Sequence, residues 1–108
     1  MWVYLPLGMV SIVADREDPM GSPLLVRARR RDHLEAFAAL SDDPVAKLKE
    51  TPHGDYRWRV RMDRAAVARR LARMAECLDY PNFKASIPDH TYHDACVGAW
   101  TAIRRIQR

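Results

Sequence analysis

The stretch Tyr56-Arg57-Trp58-Arg59-Val60-Arg61-Met62 alternates a large apolar residue with an arginine at every step. Successive side chains of a β-strand leave opposite faces of the sheet, so this period of two predicts a strand with one apolar and one cationic face. Tyr56, Trp58, Val60 and Met62 are expected to face a core, and Arg57, Arg59 and Arg61 to face away from it.

Upstream, Thr51-Pro52-His53-Gly54-Asp55 is turn chemistry. Residues 45–50 are therefore expected to form a hairpin with residues 56–62, with Ala46 and Leu48 on one side and Lys47 and Lys49 on the other. Residues 24–29 read as a further strand, with Leu24, Val26 and Ala28 opposite Arg27 and Arg29. Before them, residues 2–5 and 9–14 flank the turn Pro6-Leu7-Gly8 and predict another hairpin. Residues 15–23 are charged and broken by Pro and Gly, which reads as a loop.

Three helices follow from caps and spacing. Asp32 has the character of an N-cap, with Glu35 three residues later close to a capping box. Leu34, Phe37 and Leu40 give this helix an apolar side, and Ser41-Asp42-Asp43-Pro44 ends it. Asp63 is expected to cap a second helix in which Val67, Leu71, Met74 and Leu78 recur on one side. Pro88 and Asp89 introduce a third, with Tyr92, Cys96, Ala99, Trp100, Ile103 and Ile106 as its buried stripe. The order β-β-β-α-β-β-α-α predicts a single α+β domain over residues 1–108, a mostly antiparallel five-stranded sheet with helices packed on one face.

The chain has 108 residues and a formal net charge of +4. That length suits one domain, and the mild positive charge permits an anionic partner without requiring one. No apolar run is long enough to span a bilayer, and the first residues lack the features of a signal peptide. Cys77 and Cys96 are the only cysteines. With no secretion signal they are expected to be reduced, buried thiols on apolar helix stripes in a cytoplasmic protein.

Several short motifs point in one direction. Trp2-Val3-Tyr4 with Gly8-Met9-Val10-Ser11-Ile12-Val13 resembles the start of a group of short bacterial and phage proteins that carry no assigned activity. So do Leu25-Val26-Arg27-Ala28-Arg29, Thr51-Pro52 with Asp55-Tyr56-Arg57, Asp79-Tyr80 with Asn82-Phe83-Lys84, and the late Tyr92 and Trp100. The resemblance covers almost the whole chain. It implies a cytoplasmic protein of chromosomes and mobile elements. By analogy with small phage proteins, it also suggests an inhibitor or adaptor, for example an anti-CRISPR-like inhibitor of host defence.

The candidate chemistry is cationic. Arg27, Arg29, Lys47, Lys49, Arg57, Arg59 and Arg61 are all expected to leave one open sheet face. Like charges directly opposed across strands destabilise a sheet, so acidic neighbours, separation of the strands or an anionic partner must resolve the conflict. A second candidate patch joins Arg69, Arg70 and Arg73 of the second helix to Tyr80 and Phe83 of the connector, whose aromatics suit either partner contact or stapling of the loop. Arg104, Arg105 and Arg108 at the end of the last helix complement its dipole. His90, His93 and Cys96 stand three residues apart on one helix, a spacing that diverges around the wheel rather than converging on one ion. No glycine-rich phosphate loop, paired-carboxylate motif or nucleophile–base order is present. The sequence therefore leads to a non-enzymatic binding protein without metal or cofactor. A protein or nucleoprotein partner stands first and direct nucleic-acid binding through the sheet face second, because Tyr56 and Trp58 are expected to point inward and leave the cationic face without aromatics for base stacking; an enzyme of unassigned activity stands third.

Overall fold

The computed structural model describes residues 1–38 and 47–107. Its five strands are β1 (Trp2–Leu5), β2 (Gly8–Ala14), β3 (Pro23–Ala28), β4 (Lys49–Glu50) and β5 (Trp58–Asp63). They form one antiparallel sheet in the order β1-β2-β3-β5-β4, so β5 sits between β3 and β4. Helices α1 (Arg31–Ala38), α2 (Arg64–Glu76) and α3 (His90–Ile103) complete an α+β architecture. Both expected hairpins, β1–β2 and β4–β5, are present.

The pleat divides the apolar residues between two cores. Val10, Ile12, Val26, Ala28, Val60 and Met62 leave one face and meet Leu34 and Phe37 of α1 and Val67 of α2. Their register stacks Ile12 on Val26 and Val26 on Val60. Tyr4 and Met9 pair across β1 and β2 and alternate with Val3 and Val10, so they leave by the other face. There they pack with Phe83, Ile87, Tyr92 and Cys96. The expected packing of helices on one face thus describes α1 and α2, whereas α3 belongs to the second core over the β1–β2 end of the sheet. The reason is parity: Tyr4 and Met9 cannot reach the first core, and α3 is the element that covers them.

Other expectations shift in informative ways. Strand β5 begins at Trp58, not Tyr56. Tyr56 is buried as expected but belongs to neither apolar core. The fourth strand is short, and Leu40, the helix end at residues 41–44, Val45 and Ala46 lie outside the described residues. Asp32 lies within the first turn of α1, not before it. Its carboxylate is held by Arg30, with Nε and Nη2 at 3.0 and 2.7 Å. Asp63 occupies the N-cap position of α2 without a side-chain cap bond, and accepts from Ser22 Oγ instead. Asp89 does cap α3, accepting from the Tyr92 amide at 2.8 Å. Leu78 lies beyond α2 and is exposed. The expected stripe of α3 is buried at Tyr92 and Cys96 only, while Trp100, Ile103 and Ile106 are exposed. Beyond its second turn the helix is covered only in part among the described residues, by Lys84 lying against Trp100.

Full burial of Phe37 against partial burial of Trp58 sets an order of stability losses. Phe37→Ala should cost about 3–5 kcal/mol, and Trp58→Ala less. Denaturant titration of both variants checks this, and an equal or larger loss at Trp58 would contradict the burial pattern.

Candidate nucleic-acid interface

The strand registers align Trp2 of β1, Ser11 of β2, Arg27 of β3, Arg59 of β5 and Lys49 of β4 in one cross-strand row. Directly opposed residues share a face. The row therefore crosses the whole sheet on the side opposite α1 and α2. It begins at Trp2, 64% exposed, and ends on three successive cations.

Arg27 and Arg59, together with Arg29, are held by neutral groups. Arg27 Nη2 donates to Ser11 Oγ at 2.9 Å. The guanidinium carbons of Arg27 and Arg29 each lie 4.6 Å from the centroid of the Tyr56 ring, a cation–π arrangement. Tyr56 is thus buried against the arginine face instead of the aliphatic core. This became possible because residues 51–57 turn before the strand begins: the Thr51 amide donates to the Arg57 carbonyl at 2.6 Å and Thr51 Oγ1 to the Tyr56 carbonyl at 2.9 Å. Arg59 Nε donates to Thr51 Oγ1 at 3.1 Å. Arg27 Nε is buried and makes no hydrogen bond among the described residues, so the Tyr56 ring and Ser11 are its compensation.

Acidic residues occupy the margins. Arg57 pairs with Glu50 at 2.7 Å and Arg61 with Asp15 at 3.2 Å. Arg27, Arg29, Lys47, Lys49 and Arg59 have no carboxylate partner among the described residues. The seven expected basic-face residues therefore split. Arg57 and Arg61 are neutralised. Arg27 is a half-buried spine under Tyr56. Arg29 and Lys49 are exposed, Arg59 is half-exposed, and Lys47 is exposed just before β4.

The second expected patch comes together only in part. Arg70 donates from Nε to the Phe37 carbonyl at 3.2 Å and from Nη2 to that of Ala36 at 3.1 Å. It ties α2 to α1, and burial pulls its pKa down. Arg70, Arg73 and Tyr80 line one cleft of about 380 Å³ that also contains Leu7 and Met74, and Arg69 is exposed outside it. Phe83 instead packs into the second core, with its ring centroid 6.2 Å from that of Tyr80. It also lines a groove of about 360 Å³ with Tyr4, Lys84, Trp100 and Ile103. Lys84 Nζ lies 3.9 Å from the Trp100 ring centroid at the rim.

One cluster has no signal in the sequence pattern. The Met9 amide donates to His33 Nδ1 at 3.3 Å, and the His33 ring lies 4.6 Å from that of Tyr92. Tyr92 donates its hydroxyl to the Leu5 carbonyl at 2.8 Å, and Arg30 Nη2 reaches Asp89 at 3.1 Å. These bonds lock the first hairpin, α1 and α3 together. The fit is close at Gly8, where a Cβ would lie 2.5 Å from His33 Cγ and 2.7 Å from its Cα. His90 Nε2 and His93 Nδ1 both lie beside Asp94, at 3.5 and 3.3 Å, while Cys96 turns into the second core. Among the described residues no three His, Cys, Asp or Glu side chains gather in a metal-binding group. Cys77, expected to be buried, is exposed at the end of α2.

Burial pulls the His33 pKa below its ordinary value, with Arg30 adding to this and Asp32 and Asp89 opposing it. The unfolded chain therefore takes up a proton near pH 6.5 before the folded one does. Stability should fall as pH drops below about 6.5, until the depressed folded pKa is passed. His33→Asn, whose Oδ1 stands where Nδ1 does and can still accept from the Met9 amide, should flatten that part of the profile of denaturation midpoint against pH, and an unchanged profile would remove His33 as its cause. Cys77 should react readily with a thiol reagent in the folded protein and Cys96 only on unfolding, since burial pushes the Cys96 thiol up. Mass spectrometry of the modified protein distinguishes the two.

No helix among the described residues is long and apolar enough to cross a membrane. No family model, curated protein or solved structure matches the chain, so its functional reading rests on its own residues.

Proposed function

We propose that the protein works by binding, and that its open sheet face takes a polyanion, specifically nucleic acid. The observation that carries this is the row from Trp2 to Lys49. Arg59 and Lys49 at one end, and Arg29 two residues beyond Arg27 on the same face, have no carboxylate partner among the described residues, and an exposed indole stands at the other end. The sequence placed nucleic acid behind a protein partner because the cationic strands lacked an outward aromatic. Trp2, on the far edge of the same face, supplies one. Phosphates meeting these cations would also relieve the repulsion that the register creates between Arg27, Arg59 and Lys49.

A second reading keeps the protein partner. Trp100 and Ile103 are about half exposed and Ile106 is 80% exposed. They follow one another at steps of three along the end of α3 and the turn after it. Lys84, Arg104 and Arg105 fringe this apolar surface, so its complement is an acidic amphipathic segment. An inhibitor or adaptor of the phage type would dock here. Ile103→Glu would then remove the protein partner from a pull-down while leaving oligonucleotide binding unchanged.

The sheet-face reading is tested by anisotropy of labelled oligonucleotides, both single-stranded and duplex. About three phosphate contacts should give a slope of log K against log salt of about −2 to −3. The triple variant Arg29→Glu, Lys49→Glu, Arg59→Glu should bind neither form at 50 mM salt. Absence of binding by the parent protein at that salt, or undiminished binding by the triple variant, would end this reading.

A further inference from the structure

We infer that the nucleic acid is a single strand laid across the β-strands, with one base stacked on Trp2. This rests on the sheet-face reading above and names the form of polyanion that the face fits.

The first argument is the indole. Trp2 is 64% exposed at the edge of a row whose other members are polar or charged. An exposed ring beside a cationic track is the pairing that single-strand binders use. Each unstacked base offers a face to the ring, and the backbone follows the charges. In a duplex the bases are already stacked on one another, so the ring would have nothing to take without prising base pairs apart.

The second argument is width. The row crosses four inter-strand steps of 4.7–4.9 Å, about 19 Å in all. The major groove of B-form DNA is about 12 Å wide, so this face cannot enter it. A duplex could touch the face only through its outer phosphates. Ser11 is fully buried within the row, its hydroxyl taken by Arg27 Nη2, so a single strand lying from Trp2 to Lys49 would meet the Arg27 guanidinium there and not the serine. At 3.4 Å per nucleotide the row spans roughly five or six nucleotides, and fewer when the strand is extended.

The third argument is where negative charge lies. Asp15 and Asp63 sit at the end of the face near Arg61, some 13 Å along the strands from Ser11 and its row. The row holds no carboxylate, and Glu50 is turned to Arg57. The face is therefore divided along the strands, and among the described residues the band without carboxylates is the one with Trp2. Arg27 and Tyr56 form its floor, since Tyr56 is buried and Arg27 half-buried. Arg29, Arg59 and Lys49 are left to meet phosphates.

The test uses fluorescein-labelled oligo-dT, oligo-rU and a mixed-sequence duplex of equal length, with the full chain, at 50–200 mM salt. Both single strands should bind at least about tenfold more tightly than the duplex, and comparison of dT with rU shows whether the sugar matters. Trp2→Ala should weaken single-strand binding by roughly 5- to 140-fold without changing the salt slope, because stacking releases no counterions. Trp2→Phe should restore most of the affinity while abolishing the indole quenching that accompanies binding of the parent. Arg59→Glu should lower the salt slope. Trp2 is mostly exposed, so circular dichroism should show both Trp2 variants folded. Equal binding of strand and duplex, or no effect of Trp2→Ala in a folded variant, would overturn the single-strand inference while leaving the polyanion reading standing. Failure to bind either form would overturn both.

Discussion

Arg27 and Arg59 face each other directly across β3 and β5, and Lys49 faces Arg59 from the other side. Three adjacent cations at this spacing oppose the pairing of the strands that carry them. Much of the local structure answers that problem. Ser11 takes one guanidinium, Thr51 another, and Tyr56 leaves the strand pattern to lie against Arg27 and Arg29. Had Tyr56 continued the alternation, its ring would have joined the aliphatic core and both guanidinium groups would have lost their aromatic partner. The turn of Thr51 to Asp55 and the position of β5 at the interior of the sheet are thus coupled through one ring.

Most of the architecture was legible from period and punctuation. The alternation from Trp58 to Met62, the apolar face of β3 and the cap at Asp89 all appear where the sequence puts them. What the pattern could not supply was anything that depends on a partner far away in the chain. Alternation assigns Tyr4 and Met9 to one face but does not say which helix covers it. Spacing identifies the stripe Trp100, Ile103 and Ile106 but not whether an opposing surface exists. The Asp32 carboxylate was open to a cap or to Arg30, and the charged fork two residues upstream took it. For the candidate site, the basic strand residues were readable one by one. Their alignment with Trp2 was not, because it needs the register of four strand pairs at once.

The second sheet face is divided by chemistry. On β1, Tyr4 lies under the α3 side in an apolar core, while Trp2, two residues earlier on the same face, remains open. On β2 the change runs from Met9 to Ser11. Helix α3 therefore covers the apolar end of the sheet, and the cationic band begins beyond Ser11, which is itself fully buried with its hydroxyl bonded to Arg27. The same helix carries exposed aromatic and aliphatic residues at its far end. The molecule thus presents two open surfaces of opposite character on one side of the sheet.

The insertion of β5 between β3 and β4 has a further consequence, in the entropy of the unfolded chain. The two hairpins close short loops, but the β3–β5 ladder joins residues around position 25 to residues around position 60. Its closure must be met before any of the paired residues gain from contact. Because that cost grows only logarithmically, by about 0.6 kcal/mol for each doubling of the loop, the connection between β3 and β5 can vary in length at small expense. A domain built this way tolerates a longer β3–β5 connection far better than any change to the tight turn that places Tyr56.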